Sequence, residues 1–161
     1  MIVVADSSPL VALINIGHID VLPGLFGQVI IPPQISAELG QLGRPQAVRD
    51  FIASPPDWLI ERLPVAMQPI SALHPGELAA ISLAQELKAD LLLIDDLRGR
   101  KAAQDRHIPF TGTIGVLELA ADRGLLSLQG AFARLKDTDF WISPQLLDER
   151  LKIHLARRRQ V

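Results

Sequence analysis

The chain has 161 residues, 48% of them hydrophobic, with 16 Lys and Arg against 18 Asp and Glu and a formal net charge of −2. This balance excludes a basic protein that coats nucleic acid, and the absence of cysteine excludes disulfide-stapled secreted domains, thiolate metal sites and thiol catalysis. A chain of this length buries roughly 70% of its unfolded surface, which is enough for one hydrophobic core. The first residues lack the pattern of a secretory signal, and no run of about 18 apolar residues is present, so we expect a cytoplasmic protein without membrane contact.

Short apolar runs alternate with helical patterns in the first half of the chain. Residues 2–5 are typical of a buried strand, and Asp6, Ser7, Ser8 and Pro9 then form a typical helix start. The patterns that follow predict two short helices within 10–25, a strand over 29–31, helices over 34–40 and 45–53, and a short strand over 58–60.

The second half continues this alternation. The clearest helix opens at His74-Pro75-Gly76-Glu77 and runs to about Lys88, with five residues expected to face inward: Leu78, Ile81, Leu83, Ala84 and Leu87. Further patterns predict strands over 91–94 and 109–111, and helices over 97–106, 114–123, 128–136 and 143–155, the last with Leu147, Leu151 and Leu155 on one face. Apolar strands that alternate with helices predict one α/β domain, residues 1–155, with a parallel sheet covered on both faces. Residues 156–161, including Arg157 to Arg159, are interpreted as a basic tail that is mobile or contacts a partner.

Acidic residues directly follow two of the predicted strands. Asp6 follows the first strand, and Asp95 and Asp96 follow residues 91–94. Because the functional crevice of an open parallel sheet lies beyond the carboxyl ends of its strands, we expect these acids to share one cleft with Glu38 and Glu77. Carboxylates are the ligands that Mg²⁺ and Mn²⁺ prefer, so the pattern predicts a divalent metal site suited to phosphoryl chemistry.

Four segments in this order resemble PIN domains: VADSSPL at 4–10, GELAAISLA at 76–84, LLLIDDLRGRKAA at 91–103 and TGTIGVL at 111–117. The resemblance covers almost the whole chain and is closest to a bacterial and archaeal PIN-like branch. It implies a three-layer α/β/α sandwich with a central, mainly parallel sheet. It also implies a metal-dependent endoribonuclease that cleaves RNA with metal-activated water, as VapC-like toxins of toxin-antitoxin pairs do, with an antitoxin protein as partner and a homodimer as the assembly.

Carried over residue by residue, the resemblance implies that Asp6, Glu38, Glu77 and Asp96 are the catalytic acids. The ion, Mg²⁺ or Mn²⁺, would be held by Asp6, Glu77 and Asp96 with Asp95, and the register between the two adjacent aspartates stays open. Ser8 matches a hydroxyl that hydrogen-bonds within the family's site. Glu77 stands where the family more often has Asp, and residues 111–113 carry no further acid, so we expect one firmly held ion.

Other interpretations remain open at this stage. Asp6, Ser8 and the adjacent aspartates could cap helices, and Glu77 could be an ordinary acid of a first helical turn. A receiver-type phosphoacceptor domain also has acids at strand ends, but its acidic pair follows the first strand, whereas here the pair follows Ile94. A PIN fold with weak catalysis could also act as a binding module through protein or RNA contacts.

Basic and aromatic residues suggest secondary roles. Arg98, Arg100 and Lys101 follow the acidic pair, where they could hold RNA phosphates or simply form a solvated helix face. The chain has no Tyr and two Trp, which argues against base stacking on an aromatic platform, and we interpret Trp58 and Trp141 as core or interface residues. The four His residues share no metal-ligand spacing and receive no role.

Overall fold

A parallel sheet lies at the centre of the molecule in the computed structural model, which describes residues 1–159. The sheet has the strand order β3-β2-β1-β4-β5, and each neighbouring pair is parallel. Its strands are β1 Val3–Ala5, β2 Val29–Ile31, β3 Leu59–Glu61, β4 Leu91–Leu93 and β5 Phe110–Thr111. The predicted parallel sheet is confirmed.

Helices flank both faces of this sheet. Within residues 1–159 they are α1 Ser7–Asn15, α2 Val21–Phe26, α3 Pro33–Leu39, α4 Gln46–Ala53, α5 Pro75–Leu87, α6 Leu97–Asp105, α7 Thr113–Asp122, α8 Leu128–Lys136 and α9 Pro144–Arg159. The arrangement confirms the α/β/α sandwich that the resemblance implies. Across the same residues, no helix has both the length and the apolar character needed to span a bilayer.

Alternation of side chains along the strands divides the core between the two faces. In β1, Val3 and Ala5 belong to one apolar cluster and Val4 to the other. Leu93 of β4 packs in the first cluster, whereas Leu92 packs in the second. Successive strand residues point to opposite faces, so a strand covered on both sides must be apolar throughout.

Helix α5 lies deeper than its predicted stripe suggests. Ala79 and Ala80 are fully buried, whereas Leu78 and Leu87, which were expected to face inward, are half-buried. Small alanine side chains let the helix axis approach the sheet closely, so the contact surface includes positions outside the leucine stripe. This close packing holds the first turn of α5 against the sheet edge.

The predicted end of the last helix was wrong. Helix α9 continues through residues 156–159, so these residues extend the helix instead of forming a separate tail, and residues 160 and 161 lie outside the described residues. Leu147 is buried and Leu151 half-buried as predicted, but Leu155 is 39% exposed and His154 is buried in its place. At 3.6 residues per turn, residue 154 lies closer than residue 155 to the helix face that contains residues 147 and 151.

Candidate active site

The sheet register brings the sequence-predicted acids to one edge. Ala5 pairs with Leu93, and the Asp6 backbone N–H donates to the Leu93 carbonyl at 2.9 Å, so β1 and β4 end side by side. All five sequence-predicted acids, from four chain segments, line a cleft of about 1840 Å³ at this edge, together with Glu118 and Asp139: Asp6, Glu38, Glu77, Asp95 and Asp96. The cleft is larger than the roughly 300–1,000 Å³ of a typical small-molecule pocket. Its size therefore suits a segment of a polymer.

Asp6 is a buried carboxylate at the floor of this cleft. It occupies the N-cap position of α1, but its side chain makes no capping hydrogen bond, so capping does not explain the residue. Its exposed fraction is 3%, and Oδ1 has no hydrogen-bond partner among the described residues. Burial, together with the negative charges of Glu77, Glu38 and Asp95, raises the pKa of Asp6 to about 7.

Glu77 provides a second buried carboxylate beside the first. It lies in the first turn of α5, it is 7% exposed, and its Oε2 also lacks a hydrogen-bond partner among the described residues. Burial raises the pKa of Glu77, and the neighbouring Asp96 carboxylate raises it further. The exposed His74 lies nearby, with its Nε2 at 4.0 Å from Glu77 Oε1. Two acids that lack compensating donors therefore lie close together at low exposure.

The two adjacent aspartates have different surroundings. Asp95 accepts hydrogen bonds from Ser8 Oγ at 3.0 Å, from the Thr113 N–H at 2.7 Å and from Thr113 Oγ1 at 2.7 Å. Asp96 caps α6, because its Oδ1 accepts from the N–H groups of Arg98 at 2.8 Å and Gly99 at 3.3 Å. Capping is therefore one role of Asp96, whereas both oxygens of Asp95 are held by the first residue of α7 and by α1.

Glycines allow two of these side chains to approach. A Cβ atom on Gly76 would collide with the Glu38 carboxylate, so the absence of a side chain at the start of α5 lets Glu38 reach the cleft from α3. A Cβ atom on Gly112 would collide with the Arg100 guanidinium and would lie 2.5 Å from Asp95 Oδ1. Glycine is therefore favoured for steric reasons at both of these positions in the sequence motifs.

Basic side chains surround the acids. Arg98 and Arg100 line the cleft, whereas Lys101 lies outside it and pairs with Asp105 at 3.4 Å. Arg100 donates to the Ile94 carbonyl at 3.0 Å and lies over the Phe110 ring. Sequence reasoning missed Arg44 and Arg150, which also line the cleft, because they come from α3–α4 and α9, far from the acids in sequence.

The two tryptophans differ in environment. Trp58 is half-buried, packs against the first apolar cluster and has its ring 6.0 Å from that of Phe51. Trp141 is 97% exposed at the rim of the cleft, so it is not a core residue, while its possible role at an interface stays a prediction. The sequence does not distinguish these two positions, since both tryptophans have apolar neighbours in the chain.

The fit of a divalent cation depends on the oxygen donors present. Among residues 1–159, no three His, Asp or Glu side chains are already gathered as a coordination sphere. The unpartnered oxygens of Asp6 and Glu77 nevertheless are hard donors that a cation would compensate, and buried Gln34 Oε1, which also lacks a partner, lines the same cleft. The donor set therefore fits a hard cation that keeps several water ligands, as Mg²⁺ does.

The fold and the cleft define an α/β/α protein with acids clustered at the carboxyl ends of parallel strands. A protein-family model described as a PIN domain matches residues 2–155, and the chain belongs to the PIN-domain family. PIN domains are generally nucleases and typically use divalent metal ions.

A solved structure shows the same fold at low sequence identity. It is a PilT N-terminus domain protein from the hyperthermophilic archaeon Sulfolobus solfataricus P2, with a TM-score of 0.54 and 18% identity. The match covers 72% of this chain and 90% of that one. A comparison with curated protein sequences gives no match.

Proposed function

We propose that the protein is a metal-dependent endoribonuclease that hydrolyses RNA phosphodiester bonds. The observation that supports this most is the pair of buried carboxylates, Asp6 and Glu77, whose unpartnered oxygens lie in a polymer-sized cleft. Such a pair is costly unless a cation compensates it. Uncompensated carboxylates with perturbed pKa values cluster at functional sites, which supports a functional role for this pair.

In this proposal, Asp6, Glu77 and Asp96 would hold Mg²⁺ or Mn²⁺, and Asp95 would contribute from its fixed position. When bound, the ion would supply a Lewis acid that lowers the pKa of water and neutralises charge on the phosphate. Glu38, whose carboxylate accepts no hydrogen bond from the described residues, takes the proton of the water that attacks phosphorus, while the P–O bond to the leaving sugar oxygen breaks and that oxygen takes a proton from solvent.

The remaining groups position the substrate. Ser8 and Thr113 keep the Asp95 carboxylate oriented through three hydrogen bonds. Arg98 and Arg100, at the start of α6, attract the phosphates that flank the cleaved bond. No covalent protein nucleophile is required.

Cleavage of a single-stranded RNA pool with Mg²⁺ or Mn²⁺ tests the proposal. We expect the wild type to cut, and Asp6→Asn and Asp96→Asn to lose on the order of 100-fold of the rate, because even the outer-shell partners of a metal site are worth about 10- to 100-fold. Asp57→Asn, which changes an exposed acid outside the cleft, should cut like the wild type. Equal cleavage by all four proteins would indicate a contaminant or another site.

Metal binding can be measured separately from cleavage. Because a ligand that binds only the folded state stabilises it, Mn²⁺ should raise the melting temperature of the wild type and raise that of Asp6→Asn less. A wild type that binds Mn²⁺ and RNA but does not cut would instead favour a PIN-fold binding module.

The toxin role, the antitoxin partner and the homodimer are proposals that rest on family likeness. Expression of the wild type in a bacterial host should arrest growth, whereas Asp6→Asn should not. Sedimentation of the purified protein should give twice the mass of 17.6 kDa. Normal growth of cells that contain the fully active ribonuclease would contradict the toxin role and leave the proposed enzyme activity intact.

A further inference from the structure

An exposed tryptophan lies at the rim of the acidic cleft. Trp141 is 97% exposed in the segment between α8 and α9, and it lines the cleft together with Asp6 and Glu77. All other aromatic side chains in residues 1–159 are buried or half-buried. A fully solvated indole is unusual because Trp is highly buried on average.

The neighbours of Trp141 fix its direction. Phe140 and Ile142 pack against the first apolar cluster, so the residue between them points away from the core. The Phe140 N–H donates to Thr138 Oγ1 at 3.2 Å, and that hydroxyl donates to the Leu135 carbonyl at 2.7 Å. The segment is therefore anchored on both sides of the indole.

Helix α9 holds the same wall of the cleft. Arg150 donates from Nε to Glu118 Oε2 at 3.1 Å, with a second bond from its Nη2, which ties α9 to α7. Both residues line the cleft with Trp141. The indole thus lies on an anchored wall of the cleft.

The side chains that line the cleft indicate which kind of ligand contacts Trp141. Arg98 and Arg100 supply cations for phosphates, and the exposed Leu97 adds apolar surface at the same site. An exposed aromatic face in the same cleft as these cations matches a nucleotide, which joins a planar base to an anionic phosphate. An indole inside a duplex groove would instead meet paired bases whose faces are already stacked.

We propose that Trp141 stacks on an unpaired base of the RNA strand bound in the cleft. The inference rests on the proposed nuclease function and adds a substrate-binding residue to it. It also revises the expectation from composition, because one well-placed indole can stack a base where no aromatic platform exists.

Intrinsic fluorescence tests this contact without relying on cleavage. Trp58→Phe leaves Trp141 as the single tryptophan, and Trp58 lies outside the cleft. We would titrate this variant with a short single-stranded oligoribonucleotide, with an abasic strand of equal length and charge, and with duplex RNA, each in EDTA and in Mg²⁺. We expect the single-stranded RNA to quench the fluorescence, and the abasic strand and the duplex to leave it nearly unchanged.

Affinity gives the second measurement. Stacking of one base is worth about 1–3 kcal/mol, so Trp141→Ala should weaken binding of the single-stranded RNA by about 5- to 150-fold. The same substitution should not change binding of the abasic strand, and Trp141→Phe should recover part of the loss. Equal affinity of the wild type and Trp141→Ala for single-stranded RNA would overturn the inference.

The arms of the experiment separate this inference from the proposed function. Full cleavage and unchanged RNA binding by Trp141→Ala would reject stacking and leave the nuclease intact. Absence of RNA binding and of cleavage by every protein would reject both. Conversion of a dimer to a monomer by Trp141→Ala, without a change in fluorescence on adding RNA, would reject stacking and assign the indole to a protein interface.

Discussion

Asp6 couples the stability of the fold to pH. Its pKa is raised from 3.8 to about 7, chiefly by burial, so between these values the folded state binds more protons than the unfolded state does. Stability should therefore fall as pH rises from about 4 to about 7, and the full penalty should apply above pH 7. One pKa unit corresponds to about 1.4 kcal/mol, so this penalty is on the order of 4 kcal/mol.

Asp6→Asn should remove this penalty. In EDTA, its free energy of unfolding relative to the wild type should increase from pH 5 to pH 8, because the uncharged amide cannot titrate. Urea denaturation at several pH values measures the difference, and Asp57→Asn, an exposed acid, should show no such trend. A difference that stays constant with pH would contradict the burial of a charged Asp6.

Individual residues were predictable to different degrees. The acid at the end of β1 was predictable because it follows an apolar strand directly. The hydrogen-bond partners of Asp95 were not predictable from local patterns, since Thr113 lies 18 residues away and Ser8 87 residues away. Only the family resemblance implied that Ser8 hydrogen-bonds within the site. The cap formed by Asp96 is local, and it was among the alternatives that the sequence offered.

At the scale of elements, the start of α5 meets the end of α3 through Gly76. Gly76→Ala should displace the Glu38 carboxylate, which is the end of a flexible side chain and can swing out to solvent, and the new Cβ atom would lie 3.0 Å from Cδ1 of the buried Ile35. We expect the stability to change by less than about 1 kcal/mol, since the helix propensity of alanine offsets this tight contact. RNA cleavage should fall to the level of Glu38→Gln.

Chemical denaturation and cleavage rates together check this expectation. Gly43→Ala is the matched control, because a Cβ atom there has no neighbour within 4 Å. A Gly76→Ala protein that cuts RNA at the wild-type rate would show that Glu38 does not need to approach α5.

The turn after β5 should respond differently to the same substitution. A Cβ atom on Gly112 meets Arg100 and Asp95, and both side chains are held by hydrogen bonds, so neither can move freely. Gly112→Ala should therefore destabilise the protein by about 1–3 kcal/mol, as overpacking does. Urea denaturation beside Gly76→Ala tests the contrast, and a smaller loss for Gly112→Ala would contradict it.

The elements themselves follow the sequence closely. Strand β2 has the predicted bounds, and the predicted helices differ from α4 and α8 by no more than a residue at either end. These segments have strong apolar periodicity and Pro or Ser at their starts. The end of α9 was predicted too early because the basic residues after 155 were interpreted as a tail. Basic side chains are in fact favourable in the last turn of a helix, where they oppose the partial negative charge of the helix dipole.

Across the whole molecule, charge is divided between the cleft and the remaining surface. Seven acids and four arginines line the cleft, which gives it a formal charge of −3, so the rest of the chain, with a total of −2, has a formal charge of +1. A polyanion should therefore bind weakly and with a dependence on salt that reports individual phosphate contacts.

Arg98 and Lys101 provide a matched pair on α6. Because each phosphate contact with a single strand contributes about −0.7 to the slope of log K against log salt, Arg98→Ala should make the slope shallower by about 0.7. Lys101→Ala should leave the slope unchanged, since Lys101 pairs with Asp105 outside the cleft. Fluorescence anisotropy of labelled RNA at several salt concentrations measures both slopes, and equal slopes for the two variants would contradict the assignment of Arg98.

The sequence by itself determined the strands, most helices and the acids that follow β1 and β4, because apolar periodicity and chain direction are local properties. Only the tertiary structure decided that Asp95 is bound by Thr113, that Gly76 admits Glu38 and that Trp141 faces the cleft. Each of these facts depends on which distant segment packs beside a residue. A hydrophobic pattern shows that a face must be covered, but the covering element is chosen by the packing of the whole chain.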